Sequence, residues 1–136
     1  MAVGINGAAA GLARGWLDTL SNTSYAAGAT PYVQLHTADP GVAGTTAVCA
    51  TVPRQSLTWA AASTSGNTTT KAISNAPQWA AWNGVNGEIV THISVWTAIT
   101  AGTFLFSAPL AQSRTINTGD TVNLTSLSIS ITPVAV

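Results

Sequence analysis

The chain has 136 residues, a length suited to one domain with its own core. Only 6% of them are charged, four basic against four acidic with no cluster of either sign, so the basic patch that a nucleic-acid surface needs is missing. The single cysteine, Cys49, excludes an intrachain disulfide and a cysteine-rich metal site, and no apolar run approaches the ~20 residues of a membrane helix.

The apolar positions Ile5, Ala9, Leu12, Ala13, Trp16, Leu17 and Leu20 predict an amphipathic helix over 5–20, with no signal peptide in it. Gly7, Gly11 and Gly15 each weaken it by up to ~1 kcal/mol relative to Ala, so it needs packing, either on its own sheet or on a neighbouring subunit. Residues 21–30 read as a small-polar linker, which makes 1–30 an appendage of the same domain.

The run Tyr32-Val33-Gln34-Leu35-His36 alternates and predicts a strand. Asp39-Pro40-Gly41 closes it, with Asp39 as the acceptor of an Asx-type turn. A loop over 41–51 follows, and Cys49 reads as a small buried hydrophobe. Arg54 to Trp59 alternates as a second strand with Leu57 inward. Residues 60–67 form a turn region. Thr68 to Ser74 reads as a Thr-rich edge strand with Lys71 pointing out. Residues 75–87 hold Trp79 and Trp82 among alanines and turn residues. The two indoles read either as plugs over the core or as contact anchors on a partner, since Trp is enriched at interface hot spots.

Glu88 to Thr97 is the strongest strand, with Ile89, Ile93 and Val95 on one face and Val90, His92, Ser94 and Trp96 on the other. Apolar residues on both faces predict a central position. Residues 102–108 follow at hairpin distance, with Phe104 and Phe106 on a shared face. A short strand over 112–118 precedes the turn Asn117-Thr118-Gly119-Asp120. Val122 and Leu124 are out of phase with Leu127, Ile129 and Ile131, which predicts a bulge near Thr125 and Ser126. Together these predict a mainly β fold: an antiparallel β-sandwich or flattened barrel over 31–136, with one N-terminal helix.

Chemistry is sparse. His36 and His92 lie mid-strand and could meet across a sheet, but two imidazoles fall short of a tetrahedral zinc site. Asp39, Glu88 and Asp120 are scattered beside turns, and no phosphate loop or nucleophile elbow is present. The expectation is a protein that is not an enzyme and takes no cofactor or metal. A surface so poor in charge favours association, so the residues point to an assembly subunit. Trp16, Trp79 and Trp82 are the candidate partner contacts, and stacking of Trp59, Trp79 or Trp82 on sugar faces is the alternative use.

The order of features carries a resemblance. The runs are Leu35-His36-Thr37-Ala38-Asp39-Pro40-Gly41, Val52-Pro53-Arg54-Gln55, Thr91-His92-Ile93-Ser94-Val95-Trp96, Gly102-Thr103-Phe104-Leu105 and Gly119-Asp120-Thr121-Val122. The chain resembles short virion proteins of phages of actinobacteria and other bacteria, labelled tail-fibre or minor tail proteins, with related small proteins serving as capsid decoration. Pro53 departs from the Ala that the family tends to place before Arg-Gln. The resemblance implies a structural role in a virion assembled in the host cytoplasm, without enzymatic activity. The chain lacks a repeated shaft, which favours a head-decoration subunit, a homotrimer bound to the major capsid protein; the alternative is a minor tail or fibre protein bound to tail proteins, with a glycan contact at the tail tip. Neither nucleic acid nor membrane is an expected partner.

Overall fold

The computed structural model describes residues 30–49 and 52–132. These residues form nine strands and, among them, no helix: β1 (Tyr32–His36), β2 (Gln55–Ser56), β3 (Ser63–Ser65), β4 (Thr68–Ala72), β5 (Gln78–Trp79), β6 (Glu88–Trp96), β7 (Phe104–Ile116), β8 (Val122–Asn123) and β9 (Ser128–Ile131). The helix expected over 5–20 lies outside the described residues, as does Trp16.

The strands fall into three open sheets, ordered β2-β1-β6-β7, β3-β4-β9 and β5-β8, and all their pairings are antiparallel. The expected sandwich or flattened barrel is therefore corrected. Three of the strands, β2, β5 and β8, are only two residues long, so the covering layer never becomes a second continuous sheet. One hydrophobic cluster still unites the parts. Val33 and Leu35 of β1 and Val90, Ile93 and Val95 of β6 supply one side, and Leu57, Trp79, Trp82 and Ile116 join them, with Val122, Leu124 and Leu127 packed against it. Removing such side chains from water, at about 25 cal/mol per Å² of apolar surface, is the main drive for folding in a chain this poor in ion pairs.

β6 is central, as its two apolar faces predict, but the phase of its first half is reversed. The ladder with β7 is irregular between Val90 and His92: Val90 pairs with Arg114, His92 with Pro109, so one residue of β6 faces the four residues 110–113 of β7. The bulge turns Val90 into the core at 1% exposure and leaves Ile89 at 51%. A second irregularity, between Val95 and Trp96, puts Phe104 opposite Trp96 and Phe106 opposite Val95. The two phenylalanines thus part company: Phe104 packs on Trp96 with ring centroids 5.5 Å apart, and Phe106 on Trp59 at 6.4 Å.

Three further expectations change. β4 is the middle strand of its sheet, not an edge, and Lys71 is only 7% exposed. Residues 104–116 form one long strand where two short ones were expected. The phase change near Thr125 and Ser126 is met by a break, not a bulge: β8 joins β5, and β9 joins β4.

Candidate functional site

One face of the large sheet carries a connected set of titratable and hydroxyl groups. Residues of β1 and β6 that pair in register share a face, so Gln34 stands beside Ser94 and His36 beside His92. His36 is fully buried. Its Nδ1 lies 2.8 Å from the Thr46 carbonyl and its Nε2 2.6 Å from Ser94 Oγ. A carbonyl only accepts, so Nδ1 carries the proton and Nε2 accepts from the Ser94 hydroxyl. That hydroxyl accepts in turn from the Trp96 indole N–H at 2.7 Å. Burial, followed by the positive potential of His92 and Arg54, pushes the His36 pKa below 6.5, against the opposing Thr46 bond. The imidazole is thus held neutral.

This serine–histidine contact has the elements of a nucleophile and a base, but the serine hydroxyl is already shared with Trp96, and both residues are at 0% exposure. Its visible effect is to tie the 37–49 loop to the sheet. The same loop is held by Thr37 N–H to Ala47 O, by Cys49 N–H to Leu35 O, and by the Asx turn in which Asp39 Oδ1 accepts from Gly41 N–H at 2.9 Å. Arg54 closes the neighbouring corner. Its guanidinium lies 3.9 Å over the Trp96 ring and donates to the carbonyls of Ala98 and Ala101.

Cys49 is sealed in the core, and burial together with the Glu88 carboxylate pushes its thiol up to about 12, so it stays protonated and unreactive. Among the described residues no group of three or more His, Cys, Asp or Glu is placed to hold a metal ion.

Two of the described tryptophans are enclosed by the fold. Trp79 and Trp82 are both buried, with indole N–H groups donating to Pro53 O and Val85 O. The backbone of Trp82 is clamped by its N–H to Asp120 O and by Gly119 N–H to its own carbonyl. Gly84 packs so closely on the ring that a Cβ there would come within 2.6 Å of it. Trp79 and Trp82 are thus buried at 3% and 1% exposure in the core cluster. Trp59 is half-buried against Phe106, with its indole nitrogen buried and unpartnered.

The described residues also form a cleft that the sequence does not announce, since no local pattern marks the bulge beside it. Where residues 110–113 bow away from β6, a space of about 380 Å³ opens over the core. Leu35, Trp79 and Val90 are among its apolar walls. Leu110, Val122 and Leu124 flank it, and Gln112, Arg114, Asn123 and Ser126 supply polar groups. The volume lies at the lower end of the range of small-ligand sites.

No curated protein matches the chain. A family does: residues 7–132 match the one described as "Podophage GP4 fiber I protein gp80", a stretch that takes in all nine strands, the clamped loop and the cleft. The resemblance to phage virion proteins is thereby supported at the level of a fibre-type family of podophages, and not as the actinobacteriophage group named by its motifs. The chain belongs to the podophage GP4 fiber I protein gp80 family, and is a virion-associated structural protein related to phage fibres.

Proposed function

We propose that the protein is a structural subunit of the phage tail fibre or of its attachment, working by protein–protein contact and without catalysis. The family match carries the reading, since it is to a fibre protein and covers residues 7–132. This is the tail reading that the sequence analysis gives as the alternative to head decoration, and the family match favours it. The rest of the molecule is consistent with a scaffolding role. Its most reactive-looking groups, Cys49, His36 and Ser94, are buried and engaged. Its 6% of charged residues leave little electrostatic barrier between copies or between copy and neighbour. Self-association into a trimer and contact with other tail proteins belong to the same proposal.

Gold-labelled antibody against the protein, applied to purified particles and viewed by electron microscopy, tests the location. Label at the tail is expected. Label spread over the head shell would return the protein to the decoration reading.

A further inference from the structure

Two exposed features of opposite charge make no ion pair among the described residues. The first is the turn at the tip of the 37–49 loop. Val42 is fully exposed there, and Asp39, also exposed, uses only its Oδ1, for the Gly41 N–H. The turn is held in shape by Thr46 N–H to Pro40 O, by Gly44 N–H to Gly41 O and by the packing of Gly44 on Phe104. The second is Arg114, which is exposed, has no hydrogen bond to a described residue, and lines both the 380 Å³ cleft and an adjoining one of about 280 Å³. Asp120 lines the smaller space and accepts from Asn117 N–H. The other described charges are placed differently. Arg54 and Lys71 are engaged, and Glu88 is half-buried beside Cys49, with its Oε2 buried and unpartnered. Arg14 and Asp18 lie outside the described residues.

A lone exposed valine needs no explanation; its placement relative to the cleft does. Leu35 and His36 are neighbours in β1, so their side chains leave opposite faces of the large sheet. Leu35 lines the cleft, whereas His36 is bound to the loop at Thr46. The turn and the cleft therefore lie on opposite faces, and one rigid copy cannot bring them together. Two copies can. We propose that the 39–42 turn of one copy docks in the cleft of the next, with Val42 on the wall formed by Trp79, Leu110 and Leu124 and the Asp39 carboxylate on Arg114. The contact joins unlike surfaces, so it is head-to-tail, and three such contacts close the ring of a trimer. This gives a surface to the self-association proposed above and rests on that reading.

Disulfide trapping in the full-length protein tests the contact. Val42→Cys and Thr125→Cys, the latter on the cleft rim, are made in separate proteins, mixed and mildly oxidised. Both positions are exposed, so neither change disturbs the core, and the native Cys49 is buried. A mixed dimer that needs both cysteines is expected; dimers of Val42→Cys with itself, or no cross-link, overturn the proposal. Sedimentation of the unsubstituted protein should show a trimer, and Val42→Arg, which sets a cation against Arg114, should shift it to monomer. A monomeric unsubstituted protein or an indifferent variant also overturns the contact, and an open filament overturns the closed ring. Asp39→Asn keeps the turn acceptor but removes the charge. It and Arg114→Gln should each weaken association about two- to threefold, within the range of an exposed ion pair, and the double variant no further than either alone. Full additivity overturns the Asp39–Arg114 pairing. Label at the tail with no mixed dimer defeats this contact alone, and label on the head shell with the mixed dimer formed defeats the tail reading alone.

Discussion

At the scale of single residues, the 37–49 loop is decided by one glycine and one histidine. Gly44 has φ +70° and sits so close to Phe104 that a Cβ would lie 2.4 Å from the ring. Gly44→Ala meets both a left-handed backbone and a fixed aromatic, and is expected to cost about 2–4 kcal/mol in urea unfolding. Gly66→Ala, with φ +56° but open space around it, isolates the backbone part at about 1–2 kcal/mol. His36 predicts a pH dependence. Its folded-state pKa lies below 6.5, so as pH falls the unfolded chain takes up the proton first. The contribution of this group is therefore whole above 6.5, is lost as pH drops from 6.5 towards the folded value, and changes no further below that. Urea midpoints at pH 7.5 and pH 5 should differ in that direction, and His36→Gln should flatten the difference. Cys49 acts at the other end: with its folded value raised from 9.0 to about 12, stability declines as pH climbs through that interval, because only the unfolded thiol ionises readily.

At the scale of elements, β6 is the sharpest test. Ile93 is buried and Ile89 half exposed, so Ile93→Ala should cost about 2–5 kcal/mol and Ile89→Ala no more than about 0.5, measured as shifts in denaturant midpoint. Simple alternation puts these two isoleucines on one face and would give them similar losses. β1 and β6 were legible because their alternation is strong and each is central in its sheet; the Asp39-Pro40-Gly41 turn was legible because its chemistry is local. The reversal of Ile89 and Val90 was not, since a bulge is fixed by the partner strand and leaves no mark in the strand it re-phases. The same holds for the cleft, which the surplus residues of β7 create. Lys71 misled for a related reason. A lysine in a Thr-rich run reads as an outward edge residue, but β9, far along the chain, pairs with β4 and makes it a middle strand. Lys71→Ala is accordingly expected to destabilise measurably, not to be neutral, because an engaged, buried side chain is lost.

At the scale of the whole molecule, the near-absence of charge sets the response to solvent. With four basic and four acidic residues, thermal unfolding should change little between low salt and 0.5 M NaCl, beyond the general stabilising effect of salting-out ions. Self-association, if it follows apolar and backbone contacts, should be equally insensitive to salt, which sedimentation at two ionic strengths would reveal. The sheet order has a kinetic corollary. Thr70 and Ser130, hydrogen-bonded across β4 and β9, are 60 residues apart, and His36 and Ser94, which join the loop to β6, are 58 apart. Distant pairings of this sort are entropically slow to close. A nascent chain leaving the ribosome thus carries β4 with one side unmatched until the last strand has been synthesised. A version ending at Leu127 should leave that side permanently bare and collect as aggregates during expression, which makes the final few residues the arbiter of yield.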